Sequence, residues 1–264
     1  MRERALIVGA VAAEPAVVEA WDLLRRHFHA VGQPMEYVLH SGYERLVDAL
    51  LSGQVDVAFN SPVAHLRVRR RTHQARVGLV TRDRDRDVRS VWFTQASAST
   101  RRLRDLGGGH LGVGGSDHAY SRIAPLDALR EEGVDLTGVR LTVFDHEPGR
   151  HGASDHDEEA IVASVLDGRV QAGAISEPVW RRHEAEGALA LLAVTAPIDG
   201  WVFDALPTLP TALREGFIRA ISSLDGSAAD AARTLQLFGA RRMLPVREES
   251  YDGLKRAMDH QTAW

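Results

Sequence analysis

The feature that most constrains this chain is a repeated helix–glycine–strand unit. With Gly53 laid on Gly168, two segments align without gaps: Ser41 falls on His156, Val47 on Val162, Leu51 on Leu166, Val55 on Val170 and Ser61 on Ser176. Each copy reads as a polar loop, a helix, a glycine stop and a buried strand ending in serine. Strands that alternate with helices pack as an α/β protein, with helices covering a sheet. Two real copies would mean two similar lobes. Each lobe would then offer a helix N-terminus and a strand C-terminus, the ends that line ligand crevices in open α/β sheets. The competing reading is that any two helix–strand units look alike.

The rest of the chain follows the same alternation. Ala5 to Val11 is continuously apolar, as a strand buried on both faces would be. A helix over Glu14 to His29 follows, with Pro15 in its first turn and Val17, Trp21, Leu24 and Phe28 on one stripe. Met35 to Leu39 reads as a strand. Ser41-Gly42-Tyr43-Glu44 has capping-box spacing ahead of a helix to Leu51. Further strands are expected at Val55–Phe59, Ala75–Val80, Ser90–Gln95, Gly138–Phe144, Val170–Ile175 and Ala188–Thr195. Helices are expected at Val63–Arg71, His156–Leu166, around Trp180 and His183, and in three C-terminal stretches from Pro210, Ala228 and Tyr251.

One stretch combines several signals. Leu111 to Val113 is a short apolar strand that runs into Gly114-Gly115. Ser116, Asp117, His118, Ala119, Tyr120 and Ser121 then lead into a helical pattern ending near Gly133. Glycines let backbone N–H groups approach a ligand, and the first turn of a helix suits an anion. An ordinary connection with Ser116 or Asp117 as N-cap would look the same.

Composition removes several function classes. The 264 residues are 44% hydrophobic, enough for one large or two interlocked domains. With no cysteine, disulfides, thiolate metal sites and cysteine nucleophiles are excluded. Net charge is −4 and no basic cluster is interleaved with aromatics, so nucleic acid is not expected as a partner. The basic run Arg67 to Arg76 reads as a solvated helix face. No apolar run reaches the roughly 18 residues of a membrane span. Because Ala5–Val11 reads as the first core strand and not as a signal peptide, the protein is expected to be cytoplasmic. There is no G-x-S-x-G elbow, and the glycines near Gly112 do not form a dinucleotide fingerprint.

The order and spacing of these motifs resemble a known family. "Tyr43-Glu44 … Val47-x-Ala49-Leu50-x-x-Gly53-x-Val55-Asp56-x-Ala58", "Leu103-x-Asp105-Leu106-Gly107" followed by Gly114 to Ser121, Pro125 and "Leu129-x-x-x-Gly133", and "His156 … Ala163-x-Val165-x-x-Gly168-x-Val170" are similar to the phosphate/phosphonate-type substrate-binding proteins of ABC importers. Pro197 and Tyr251 also fit. The resemblance spans Ala5 to about Asp252. It implies a type 2 periplasmic-binding-protein-like fold: two mixed sheets flanked by helices, with a ligand cleft between lobes. Lobe one would be residues 1–92 and 196–264, lobe two 93–195. Tyr43, Asn60, Ser61, Ser116, Asp117, His118, Tyr120, Ser121, His156 and Glu177 are then the expected ligand contacts. The family's oxyanion loop is rich in Ser and Thr, whereas this one reads Asp117-His118-Ala119-Tyr120-Ser121. That departure points to another ligand or to chemistry.

Function is therefore expected to be binding of a small polar, anionic metabolite, with oligomeric state left open. The alternative is an enzyme of lyase or oxidoreductase type on the same fold. It would resemble the chorismate-derived dehydratases or the pyrimidine synthase of thiamin biosynthesis, with His156 and His118 as acid/base groups. A transition-metal ion is the one cofactor considered. Its candidate ligands are His118, Tyr120, His156 and Glu177, ahead of His146, His151 and His156, whose five-residue spacing fits no common ligand pattern.

Overall fold

A computed structural model describes residues 4–12 and 17–261. The expected helix start at Glu14 and Pro15 lies outside the described residues. The chain opens with β1 (Leu6–Val11), α1 (Val17–Ala30), β2 (Met35–His40), α2 (Tyr43–Leu51), β3 (Val57–Asn60), α3 (Pro62–Thr72) and β4 (Gly78–Arg82). Next come β5 (Ser90–Gln95), β6 (His110–Gly114), α4 (Ala124–Glu131), β7 (Arg140–Phe144), α5 (His156–Leu166), β8 (Ala172–Ser176), α6 (Glu177–His183) and β9 (Leu189–Val194). The chain closes with β10 (Val202–Asp204), α7 (Thr211–Ser222), α8 (Ala229–Leu237), β11 (Met243–Pro245) and α9 (Asp252–Gln261).

Two compact units result. The first comprises residues up to Arg86 together with Asp199–Glu249; the second comprises Asp87–Ile198 and the segment from Ser250. The C-terminal segment was expected with the first lobe. Instead α9 packs on α4, burying Leu254 and Ala257, and His260 bonds Asp127 at 2.8 Å.

The units share one sheet plan. In the first, β2-β1-β3 are parallel, β10 runs antiparallel beside β3, and β4 pairs with β10; β11 adds an edge. In the second, β7-β6-β8 are parallel, β5 runs antiparallel beside β8, and β9 pairs with β5. The sequence repeat is reproduced bond for bond at its glycine stops. Gln54 N and Val55 N both donate to Ala49 O, at 2.9 and 3.2 Å. Arg169 N and Val170 N donate to the matching Ser164 O, at 2.9 and 3.4 Å. The stops Gly53 and Gly168 have φ of 74° and 69°, the left-handed conformation that ends a helix.

Each unit has its own core. In the first, Trp21, Phe28, Phe59, Phe203, Phe217 and Phe238 form a connected aromatic cluster; the Phe59 and Phe203 centroids are 4.5 Å apart. Burying each such ring stabilises the fold by about 1.5–3 kcal/mol. In the second, Val91, Phe93, Ile161, Val165 and Ile175 fill one side of the sheet; Trp92, Leu111, Val113, Leu126 and Leu129 fill the other. The Trp92 indole donates to Pro125 O at 2.9 Å, fixing where α4 starts. The expected capping box does not form: Gly42 is the N-cap of α2 without a side-chain bond, and Glu44 pairs with Arg67.

Candidate functional site

In the second unit, β6 delivers the chain to the Gly114–Ser121 loop, and α5 begins beside that loop. The turn into α4 is π-helical over Ala119–Ile123, with Ile123 N donating to His118 O at 2.9 Å. Such wide turns recur at functional sites. The tight approach needs glycine. A Cβ on Gly114 would collide with Ser121 Oγ and His118 Nδ1, and one on Gly115 would stand 2.6 Å from Asp145 Oδ2.

The loop encloses histidines and carboxylates. His118 is 2% exposed; its Nδ1 meets Ser121 Oγ at 3.2 Å. Its Nε2 lies 3.9 Å from both Asp145 Oδ1 and Asp157 Oδ2. Asp157, buried at the start of α5, accepts at Oδ1 from His146 N (3.0 Å) and His146 Nδ1 (2.5 Å). Asp117 Oδ2 is 3.1 Å from His151 Nε2. Arg122 Nη1 donates to Gly114 O at 3.3 Å. Asp117 Oδ1 and Asp145 Oδ1 are buried with no hydrogen-bond partner among the described residues.

Electrostatics follow from this crowding. Burial, with the Asp117 and Asp157 charges nearby, raises the Asp145 pKa. Burial lowers that of His118 despite three neighbouring carboxylates, which favours the neutral imidazole. Asp117 is held below the usual carboxylate range, because the His151 contact and charge outweigh its burial. Beside the cluster, Glu158 is buried with Ser176 N and Oγ on its Oε2; burial pushes its pKa to about 7. A cavity of about 390 Å³ opens alongside the loop, lined by Ser116, Arg122, Arg130, Leu126, Val139 and Leu141.

The expected residues are distributed as follows. Ser116 is exposed at the cavity, while Ser121 and His118 belong to the buried cluster. Asp117 faces His151 and does not cap the helix. Tyr120 is buried, with its hydroxyl 3.4 Å from Ile198 O. His156 is exposed, its ring edge-on to His146 at 4.7 Å. Glu177 pairs with Arg181 at 2.6 Å. The geometry therefore does not gather His118, Tyr120, His156 and Glu177 into one ligand set. It gathers His118 with Asp145 and Asp157 instead. Asp145 was legible as the residue just past β7, at a strand C-terminal end. Asp157 had no signal beyond its neighbour His156.

In the first unit, Tyr43 is buried at the start of α2 and accepts from Trp201 Nε1 at 2.5 Å. Ser61 caps α3, accepting from Ala64 N at 3.1 Å. Asn60 Nδ2 donates to Asp204 Oδ2 at 2.8 Å, and its Oδ1 is buried with no hydrogen-bond partner among the described residues. Asp204 Oδ1 is 2.8 Å from His65 Nδ1, and His65 Nε2 is 3.1 Å from Glu248 Oε2. Burial alone would depress the His65 pKa, but the charge of Asp204 and the bonds from both carboxylates raise it to about 9.

Residues 9–251 match the family described as ABC transporter, phosphonate, periplasmic substrate-binding protein. The chain belongs to this family. The match overturns the cytoplasmic expectation, since the family is periplasmic. The strand β1 occupies the apolar run as expected, but a core strand near the chain start carries no information about compartment. Solved structures share the fold. PhnD1 from Prochlorococcus marinus in complex with methylphosphonate has a TM-score of 0.74 at 17% identity, covering 98% of each chain. A Xanthomonas citri protein bound to ATP has a TM-score of 0.74 at 16% identity, covering 97% of this chain and 98% of its own. The periplasmic aliphatic sulphonate binding protein SsuA from Escherichia coli scores 0.62 at 16% identity, covering 98% and 87%. No curated protein is similar enough to match. This is a two-lobe periplasmic-binding-protein fold; among the described residues no helix is long and apolar enough to cross a membrane.

Proposed function

We propose that this protein captures a small solute bearing an oxyanion, of the phosphonate or sulfonate class, for an ABC importer. The observation that carries the reading lies within the second unit. There the Gly114–Ser121 loop and the start of α5 meet, so that His118 stands 3.9 Å from Asp157. The loop leads into the start of α4 and meets the start of α5, and the Arg122 guanidinium donates to Gly114 O within the loop. A helix start and a guanidinium each favour negative charge, and the carboxylates of Asp117, Asp145 and Asp157 oppose it. Ser116, His118, Ser121 and His156 are the proposed contacts of this unit; Tyr43, Asn60 and Ser61 are those of the other.

The enzyme alternative has less support. The His156 ring lies edge-on to His146, and among the described residues no carboxylate bonds it in the way that orients a general acid or base. Titration calorimetry with methylphosphonate, methanesulfonate and inorganic phosphate tests the reading. At least one is expected to bind at micromolar concentration or below. At a hundredfold excess over Kd it should stabilise the fold by about 2.7 kcal/mol. Indifference to all three at millimolar concentration, with and without divalent metal, would refute it.

A further inference from the structure

An oxyanion cradle has no use for three carboxylates. Asp117, Asp145 and Asp157 all face His118; Asp117 is answered by a second histidine, His151, and Asp157 by His146, which leaves Asp145 without one. The arrangement around His118 Nε2 is specific. That nitrogen belongs to a side chain only 2% exposed, yet it makes no hydrogen bond among the described residues. It stands at 3.9 Å from Asp145 Oδ1 and 3.9 Å from Asp157 Oδ2. Both distances are too long for an N–H···O bond, which needs about 2.7–3.2 Å. The nitrogen is equidistant from the two oxygens and bonded to neither. Asp145 Oδ1, one of those oxygens, is itself buried without a hydrogen-bond partner. Burial of an unanswered carboxylate oxygen is costly, and a bound cation removes the cost.

We propose that His118 Nε2, Asp145 Oδ1 and Asp157 Oδ2 are the three protein ligands of a divalent first-row transition-metal site, of the zinc or manganese type. The three ligand atoms lie within 4.8 Å of one another. Tetrahedral ligands at about 2.1 Å from a metal are roughly 3.4 Å apart, so an inward shift of about half an ångström completes the site. The supporting bonds are those a metal site requires. Ser121 Oγ can accept from His118 Nδ1–H, leaving the Nε2 lone pair for the metal. Asp157 uses Oδ1 for the His146 backbone and ring and keeps Oδ2 for the ion. An imidazole with two carboxylates, and no thiolate, suits zinc, manganese or ferrous iron over soft cuprous copper. Three protein ligands leave positions open, and an oxyanion oxygen fits one of them. In this last respect the inference builds on the solute-capture reading above.

The test uses the full chain, stripped with chelator and titrated with Zn²⁺ and Mn²⁺ by calorimetry. One equivalent is expected to bind with Kd in the micromolar range or tighter. Asp145→Asn and Asp157→Asn should each weaken it at least tenfold. Both variants should fold, because each removes a like charge. Binding that survives both substitutions belongs to surface histidines and overturns the site, as does the absence of binding. Saturation by methylammonium in place of either metal would assign the pocket to an organic cation and also overturn it. If a variant does not fold, pulsed EPR of the Mn²⁺-loaded wild type decides: no histidine nitrogen coupling refutes the assignment. Methylphosphonate, methanesulfonate and phosphate are each titrated with and without Zn²⁺. Failure of methylphosphonate, methanesulfonate and phosphate alike in both states sinks the solute reading and leaves the metal result standing.

Discussion

The buried His65 network offers the sharpest quantitative prediction. His65 and Asp204 are fully buried, and Glu248 closes the other side of the ring. The imidazole titrates at about 9 in the fold, against 6.5 as a free side chain. Its charge therefore contributes about 3 kcal/mol of stability, since each pH unit of difference corresponds to about 1.4 kcal/mol. The sign is that of a raised base. The contribution is fully present below pH 6.5 and is lost as pH rises through 9. His65→Gln keeps a side chain that can donate a hydrogen bond but removes the charge. The stability gap between wild type and variant should be widest at pH 6 and narrow by about 3 kcal/mol at pH 10. For a chain of this size that is roughly 6–12 °C of melting temperature. Thermal melts of both proteins across that range measure it. A gap independent of pH would refute the reasoning, because the pair would then act by packing and not by charge.

Three further outcomes are expected. Glu158 is the opposite case: its buried acid titrates at about 7 against 4.5 unfolded, so wild-type stability falls as pH rises from 4.5 through 7. Glu158→Gln should match wild type near pH 4.5 and exceed it by up to about 3 kcal/mol at pH 8, read by urea denaturation. Asp117→Asn removes a negative charge from the loop without touching the proposed metal ligands; methylphosphonate should bind roughly tenfold tighter, the equivalent of about 1.4 kcal/mol of relieved repulsion. Gly114→Ala forces a methyl group onto His118 and Ser121 and should cost about 1–3 kcal/mol in thermal melts, with loss of solute binding.

The strands and helices were legible where a periodic pattern was long enough to read. Ser90–Gln95 and His156–Leu166 fall at the expected residues, because a buried run and a helix followed by a glycine stop each carry several consistent signals. The three-residue strands at Val202–Asp204 and Met243–Pro245 carry too few residues to show a period of two, and tertiary pairing alone makes them strands. The capping pattern at Ser41–Glu44 had the right spacing, but the long Glu44 side chain found Arg67 instead. At α5 the sequence pointed to His156, and the structure turns Asp157 inward. Adjacent helix residues face directions about 100° apart, so the right turn was located and the wrong face chosen.

The second unit's charge balance decides what its loop can hold. Two helix starts supply at most about one positive charge between them, and that charge is spread over amides. Arg122 adds one more, although burial lowers its pKa and part of its donor capacity goes to Gly114 O. Against these stand Asp117, Asp145 and Asp157; burial raises the pKa of Asp145. The histidine that reaches all three is buried and favours its neutral form. The sum is negative or near zero, so a bare dianion gains little from the dipoles that would attract it. A divalent cation on His118, Asp145 and Asp157 reverses the sign at one stroke. The same geometry that repels a phosphonate alone then receives it as the next ligand of the metal.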